Sequence, residues 1–236
     1  MTATRVKQFP NVYYDEPGLK KLAGAGRHRE IIGGLWDEIG QLQTEFLVGN
    51  GLKPESWFVD IGCGSLRAGV KLVPYLLPGH YHGIDISNAL LEAGYEREIV
   101  PNGLGARLPR GNLLCNENFD ISAFGRTFDF AMAQSVFSHL PIGELSNCLA
   151  RIAPFFGAGA RFFATYFECP EDWPDDQPMR HVPGDTITHA ESDPFHYKRS
   201  WIGGRTRHPA WELEFIGGWK HPRGQKMLKF TRTVKQ

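Results

Sequence analysis

The 236-residue chain has 26 basic and 26 acidic side chains, so its formal net charge is zero, and 42% of its residues are hydrophobic. This balance argues against a dedicated nucleic-acid-binding protein, which usually carries excess positive charge. Because no 18-residue apolar run and no apolar leader are present, we expect a cytoplasmic protein without a membrane span. The cysteines form no CxxC pair, which predicts buried reduced thiols; they are Cys63, Cys115, Cys148 and Cys169.

The N-terminal part of the chain is predicted to be an arm followed by a helix. Residues 1 to about 20 are polar and contain two prolines, which is typical of an arm or lid. From 28 to 52, apolar side chains recur at steps of three and four, and Gly33-Gly34 interrupts this helical stripe. We therefore divide the chain into an arm and lid helix, 1–52, and a main domain, 53–236.

Between 57 and 167, short apolar segments alternate with longer amphipathic ones. Such alternation predicts a parallel sheet with helices on both faces and a ligand beyond the carboxyl ends of the strands. Ser87 precedes the second helix and suits its N-cap. Strands are predicted at 57–61, 81–86, 111–116, 128–135 and 160–167, and helices at 67–76, 88–100 and 143–156.

The chain changes character after the fifth strand. The stretch 168–200 is rich in proline and has no periodicity, which predicts an irregular lid or binding loop. We place this lid insertion at about 168–205. Two last strands are predicted at 211–219 and 226–234, joined by glycine-rich and proline-rich turns.

The stretch "WFVDIGCGSLRAG" carries the strongest chemical signal, because an apolar strand ends there in a glycine turn. Gly62 and Gly64 fit a dinucleotide site and equally a site for S-adenosylmethionine. Asp60 would repel a pyrophosphate but suits an ammonium group, and Arg67 suits a carboxylate. Both favour S-adenosylmethionine, whereas Asp85 suits the ribose of either ligand. The structural alternative is that Asp60 only caps the turn and Arg67 lies on the surface.

Four segments, in this order and spacing, resemble the class I S-adenosylmethionine-dependent methyltransferases, especially the bacterial small-molecule type: "FVDIGCGSLRAG", "GHYHGIDIS", "NENFD" and "FDFAMAQSVFSHLP". The C-terminal segments "DPFHY" and "HPRGQKMLKF" are similar to the same subgroup. The resemblance implies a Rossmann-like α/β fold with a seven-stranded, mostly parallel sheet of order 3-2-1-4-5-7-6, its last strand antiparallel. One departure is Leu66, which stands where the common pattern has a glycine, so we expect the turn to differ locally.

The same resemblance implies where the cofactor lies. The glycine turn binds the methionine end, the second strand ends at the ribose, and the segment after the third strand meets the adenine. The residue after the fourth strand lines the methionine moiety, and a tryptophan of the N-terminal helix either closes over the cofactor or belongs to the core. The expected cofactor residues are Asp60, Gly62, Cys63, Gly64, Arg67, Asp85, Ile86, Glu117, Asn118, Phe119, Gln134 and Trp36.

The segment after the fourth strand limits the kind of methyltransferase. It reads "AQSV", without the D/N-P-P-Y/F motif of enzymes that methylate exocyclic amines of DNA bases. The wider stretch "MAQSVFSHL" contains no carboxylate to hold magnesium, so a metal-assisted reaction is disfavoured. We therefore expect metal-independent methylation of a small molecule, on oxygen or nitrogen.

Removal of a proton from such an acceptor calls for a side chain that titrates near neutral pH. His139 follows the fourth strand and His196 lies in the lid, so both are candidate bases, although each also suits a structural role. Tyr166, Glu168 and Tyr197 are expected to line the acceptor pocket. An NAD(P)-dependent oxidoreductase and a non-catalytic methyltransferase-fold binding protein are the alternative functions.

Overall fold

One main sheet forms the centre of the molecule, for which the computed structural model describes residues 12–233. The strands are β1 (Phe58–Ile61), β2 (Tyr81–Asp85), β3 (Leu113–Cys115), β4 (Phe128–Ala133), β5 (Phe156–Glu168), β6 (Met179–His181), β7 (Thr186–Thr188), β8 (His196–Tyr197), β9 (Trp211–Gly218) and β10 (Lys226–Arg232). The sheet order is β3-β2-β1-β4-β5-β10-β9, with β10 antiparallel to both neighbours. Because β9 and β10 are the predicted sixth and seventh strands, the expected order 3-2-1-4-5-7-6 is confirmed.

The central strands are buried on both faces, as parallel strands between two helical layers must be. Every residue of β1 and β2 is buried, and Phe58 lies beside Tyr81 on one side and Phe130 on the other. Val59 and Ile61 belong to one apolar core cluster and Phe58 to a second one. The carboxyl ends of β1, β2 and β4 meet at one edge, so the residues that follow these strands come together there.

Helices cover the sheet; they are α1 (Glu16–Gly24), α2 (His28–Ile31), α3 (Trp36–Gly49), α4 (Gly69–Tyr75), α5 (Asn88–Gly94), α6 (Ile142–Ile152) and α7 (Arg199–Arg205). The predicted N-terminal helix is divided into α2 and α3, because Gly33 and Gly34 adopt φ angles of 87° and 61° between them. A π-helix, Tyr95–Ile99, extends α5. Ser87 caps α5 as predicted, since its Oγ accepts the N–H of Leu90 at 3.2 Å.

The lid segment, 168–205, is more regular than its composition predicts. Instead of an irregular loop it contains the antiparallel pair β6–β7, the strand β8, which pairs in parallel with β5, and helix α7. Strands of two or three residues are too short to show a periodicity of two, so the sequence pattern did not reveal them.

The prediction of buried thiols is correct for three cysteines and wrong for one. All four are free; Cys63, Cys148 and Cys169 are buried, whereas Cys115 is exposed. Cys115 ends the edge strand β3, where no neighbouring strand covers it on one side. Within residues 12–233, no helix is long and apolar enough to cross a bilayer.

Candidate active site

The turn after β1 is built from left-handed residues. Gly62 and Gly64 have φ angles of 71° and 53°, and a Cβ on Gly64 would lie 2.8 Å from Cγ2 of Ile32. The N–H groups of Gly62 and Cys63 both donate to the carbonyl of Ile84, at 2.8 and 3.0 Å. These bonds attach the turn to the end of β2, and the turn needs glycine both for its conformation and for space.

Leu66 keeps the conformation of the glycine that the family pattern has at this position. Its φ is 68°, in the left-handed region that costs a residue with a Cβ roughly 1–2 kcal/mol. The leucine side chain is fully buried, which contributes about 1.5–3 kcal/mol. Burial thus offsets the backbone strain, and the turn keeps a glycine-like backbone despite the substitution.

Asp85 ends β2, and its buried carboxylate faces the glycine turn. The N–H of Gly64 donates to Oδ2 at 2.8 Å, and the N–H of Ser87 donates to Oδ1 at 2.9 Å. Burial nevertheless raises the pKa of Asp85 to about 6, and the charge of Glu16 adds to the increase. Further donors, such as the hydroxyls of a ribose, would stabilise the charged carboxylate. The geometry therefore fits the expected ribose position.

Glu16, at the start of α1, brings a second carboxylate to the same place. Its Oε2 accepts a hydrogen bond from Oγ of Ser87 at 2.6 Å, and its Oε1 accepts the N–H of Ala89 at 2.7 Å. A carboxylate is favourable at the beginning of a helix, so these bonds attach α1 to the start of α5. Glu16 is not among the residues predicted from sequence, because it lies 71 positions before Ser87 in a polar segment without periodicity.

Asp60 lies inside β1, beside the turn, and is a buried carboxyl group. The hydroxyl of Tyr81 donates to its Oδ2 at 2.7 Å. Burial raises the pKa of Asp60 to about 7, although the Tyr81 hydrogen bond and the nearby charge of Arg67 oppose the increase. A cation bound beside Asp60 would favour the ionised carboxylate, which fits the expected ammonium position.

Arg67 connects three parts of the site. Its Nη1 donates to the carbonyls of Ile32 and Gly34, at 3.2 and 3.0 Å, and its Nη2 donates to Oε1 of Gln134. The side chain is buried, and burial lowers its pKa to about 10. Its Nε has no hydrogen-bond partner among residues 12–233. A buried guanidinium with an unsatisfied N–H fits a ligand that supplies a carboxylate.

The loop between β9 and β10 contributes residues that sequence reasoning did not assign. Nε2 of Gln134 lies 3.1 Å from Nε2 of His221, and Oγ of Ser135 donates to Oε1 of Gln225 at 3.1 Å. Burial, reinforced by two neighbouring arginines, lowers the pKa of His221 to about 3, so its imidazole is neutral. His221 and Gln225 belong to the segment "HPRGQKMLKF", whose resemblance to the methyltransferase subgroup was noted from sequence without a site role.

His139 follows β4 and contacts both the lid segment and the N-terminal arm. Its Nδ1 lies 2.6 Å from Oδ1 of Asp193, and its ring meets the ring of Tyr13 edge to face, with centroids 5.3 Å apart. Burial raises the pKa of Tyr13 to about 12; the charge of Asp85 adds to the increase and that of Arg67 opposes it. Tyr13 therefore lies within electrostatic reach of the turn and in contact with the candidate base.

His196, the other candidate base, lies inside the lid segment. It is fully buried, and its Nδ1 is 2.8 Å from Oγ1 of Thr188, which in turn is 2.7 Å from Nε2 of His181. Burial lowers the pKa of His196. This geometry favours His139 over His196 as a base.

The three expected acceptor residues lie around the end of β5. The hydroxyl of Tyr166 donates to Oε2 of Glu168, which also accepts Nε–H of Arg199 at 2.8 Å. Tyr197 is buried and donates to the carbonyl of Leu140. Tyr166 and Glu168 thus form a polar pair at the carboxyl edge, while Tyr197 attaches the lid segment to the residues after β4.

The expected adenine residues divide between surface and core. Glu117 and Asn118 are exposed after β3. Ile86, expected as a cofactor residue without an adenine role, follows β2 and is half-buried. Phe119 is buried with a φ of 55°, and its ring centroid lies 6.2 Å from that of Phe137.

Trp36 begins α3, and its ring is covered by other side chains. The guanidinium of Arg29 lies 4.6 Å from its centroid, and the ring of His28 meets it edge to face. It also borders a surface cavity together with Lys71 and Glu98. This packing favours the structural alternative for Trp36.

Known proteins share this fold. The model of a family described as a methyltransferase domain matches residues 59–162. Magnesium protoporphyrin IX methyltransferase from Synechocystis PCC 6803, solved with bound S-adenosylmethionine, superposes with a TM-score of 0.58 at 17% identity, covering 95% of this chain and 100% of that chain. A S-adenosylmethionine-dependent methyltransferase from Clostridium acetobutylicum ATCC 824 gives a TM-score of 0.61 at 14% identity and 91% and 98% coverage.

An O-methyltransferase family protein from Burkholderia thailandensis gives a TM-score of 0.62 at 15% identity, covering 92% of this chain and 63% of that chain. At such identities, the structural matches establish a shared fold. The family match adds the motifs, because it extends from β1 to β5 and includes the glycine turn, Asp85 and Gln134. We conclude that residues 59–162 form a methyltransferase domain and that the chain shares its fold with S-adenosylmethionine-dependent methyltransferases.

Proposed function

We propose that the protein transfers the methyl group of S-adenosylmethionine to an oxygen or nitrogen atom of a small molecule, without a metal ion. The observation that carries this proposal is the position of Tyr13. Its ring contacts His139, and its hydroxyl is influenced by the charges of Asp85 and Arg67. Tyr13 therefore links the candidate base, by contact, to the cofactor residues, by electrostatic influence.

The residues at this edge fit S-adenosylmethionine group by group. Asp85, with Glu16 beside it, accepts the ribose hydroxyls; Asp60 faces the ammonium group; and Arg67 binds the carboxylate. Bound here, the cofactor supplies a sulfonium methyl group that an acceptor lone pair can displace. These three carboxylates outnumber the single arginine, which also matches the net positive charge of the cofactor.

The contribution of the protein is alignment, exclusion of water and proton removal. The lid segment and the N-terminal arm meet at His139, through Asp193 and Tyr13. Alignment of two reactants in an enclosed site is worth roughly 7–11 kcal/mol. His139 takes the proton of the acceptor hydroxyl or amine, a role that typically contributes about 10²–10⁴-fold.

The acceptor class rests on the surroundings of the site and on the relatives. Tyr166 and Glu168 offer a polar pair at the carboxyl end of β5. The Synechocystis protein is named for a small-molecule substrate and the Burkholderia protein for O-methylation, which favours a small molecule and oxygen. Metal independence is proposed because the stretch "MAQSVFSHL" at the end of β4 contains no carboxylate.

A screen for S-adenosylhomocysteine release tests the proposal. The protein is incubated with S-adenosylmethionine and fractions of a metabolite library, with and without EDTA, and His139→Ala is run in parallel. We expect at least one small molecule to increase product formation, EDTA to have no effect, and His139→Ala to lower the rate while it still binds S-adenosylhomocysteine. Activity only toward nucleic acid or protein, or activity lost in EDTA, would contradict the proposal.

A further inference from the structure

The lid segment places a partly buried carboxylate directly against the candidate base. Oδ1 of Asp193 lies 2.6 Å from Nδ1 of His139, and the Asp193 side chain is 13% exposed against 30% for His139. This distance is that of a strong, charge-assisted hydrogen bond. We propose that Asp193 is a positioning residue, which holds His139 in the tautomer whose basic nitrogen is Nε2; this inference rests on the proposed function.

The hydrogen bond to Asp193 determines which ring nitrogen of His139 carries the proton. A carboxylate only accepts hydrogen bonds, so the neutral imidazole must carry its proton on Nδ1 to bond with Asp193. The basic lone pair then resides on Nε2, and the ring orientation is fixed about the Nδ1–Oδ1 axis. As Nε2 accepts a proton from the acceptor, the imidazolium that forms is stabilised by the adjacent carboxylate. The proton passes to Nε2 and stays there until the product leaves; Asp193 remains ionised.

The backbone around Asp193 is bonded to the residues after β4 independently of the Asp193–His139 hydrogen bond. The N–H of Phe195 donates to the carbonyl of Ser138 at 2.7 Å, and the hydroxyl of Tyr197 donates to the carbonyl of Leu140. These bonds join the lid segment to the residues on both sides of His139. The lid segment therefore stays attached without the Asp193 side chain, whose carboxylate can orient the imidazole of His139.

Two measurements separate positioning from a merely structural role. The first is nitrogen NMR of the histidine side chains of the wild-type protein, with His139→Ala used to assign the signal. We expect the neutral ring of His139 to carry its proton on Nδ1. A ring protonated on Nε2 would overturn the inference without any substitution of Asp193.

The second measurement is a double-mutant cycle with the acceptor found in the screen. We expect Asp193→Asn to lower kcat by about tenfold to a hundredfold, with S-adenosylhomocysteine affinity and Tm nearly unchanged. In a His139→Ala background, Asp193→Asn should lower kcat by less than twofold, because Asp193 acts only through His139. Asp175→Asn is the matched control; it removes the 2.6 Å ion pair with Lys198 in the same lid segment and should keep the wild-type rate.

The outcomes are distinct. Equal losses from Asp193→Asn with and without His139 would assign Asp193 a role independent of the base and contradict the inference. A wild-type rate in Asp193→Asn would also contradict it. A protein that binds no S-adenosylhomocysteine would refute the proposed function instead, and the NMR result would still decide which nitrogen of His139 carries the proton.

Discussion

Replacing Asp60 with asparagine is expected to stabilise the ligand-free protein while weakening its cofactor site. The pKa of Asp60 lies at about 7 instead of 3.8, chiefly because the carboxyl is buried. That difference corresponds to about 4 kcal/mol of stability lost once the group is ionised. Asparagine keeps an oxygen for the Tyr81 hydroxyl but buries an amide N–H group, at a cost of roughly 1–3 kcal/mol.

The net expectation for Asp60→Asn is a gain of about 2 kcal/mol at pH 8, or a rise in Tm of roughly 4–8 °C for a chain of this size. The sign follows from the raised pKa. The folded protein prefers the neutral carboxyl, so the penalty is absent below about pH 4 and grows until the pH passes about 7. The difference in Tm between wild type and Asp60→Asn should therefore increase as the pH rises from 4 to 7.

Thermal unfolding at pH 4.5 and pH 8, with calorimetric titration of S-adenosylhomocysteine at pH 8, measures both effects. We expect the cofactor affinity of Asp60→Asn to fall at least tenfold, because the ligand ammonium loses its carboxylate. Asp172→Asn, at an exposed position, is the control and should change neither quantity. A variant less stable than wild type at pH 8, or a Tm difference independent of pH, would refute the reasoning about Asp60.

Further expectations concern the ribose side and the turn. Asp85→Ala should weaken S-adenosylhomocysteine binding at least tenfold by calorimetry, and unchanged affinity would remove Asp85 from the ribose site. Glu16→Gln should weaken it by about twofold to fivefold and slightly lower Tm, since two hydrogen bonds at the start of α5 lose a charged acceptor. Gly62→Ala should destabilise by about 2–4 kcal/mol in urea unfolding, because its φ is left-handed and its Cβ would collide with Val136. Gly143→Ala, with open space around it, should be nearly neutral, and equal losses at both glycines would contradict this argument.

The parts of the molecule that sequence predicts are those encoded by neighbouring residues. The turn, its flanking Asp60 and the carboxylate at the end of β2 each follow a local pattern of an apolar strand and a polar terminus. Parallel pairing then brings the strand ends to one edge, so Asp60 and Asp85 fall near each other without knowledge of side-chain contacts.

The contacts that sequence does not predict join distant segments. Glu16 reaches Ser87, Asp193 reaches His139, and the β9–β10 loop reaches Gln134. Each partner is a polar residue in a stretch without periodicity, so no pattern distinguishes it from a solvated side chain.

Leu66 illustrates a different limit of sequence reasoning. The departure from glycine suggested a locally different turn, yet φ stays at 68°. Burial of the leucine side chain, which is visible only in three dimensions, outweighs the backbone preference that the sequence expresses.

The most direct test of the central claim is a calorimetric titration of the purified protein with S-adenosylhomocysteine and, separately, with NAD⁺ and NADP⁺. We expect one-to-one binding of S-adenosylhomocysteine that depends on Asp85, and no binding of either dinucleotide. Tight binding of NAD⁺ or NADP⁺ without binding of S-adenosylhomocysteine would contradict it.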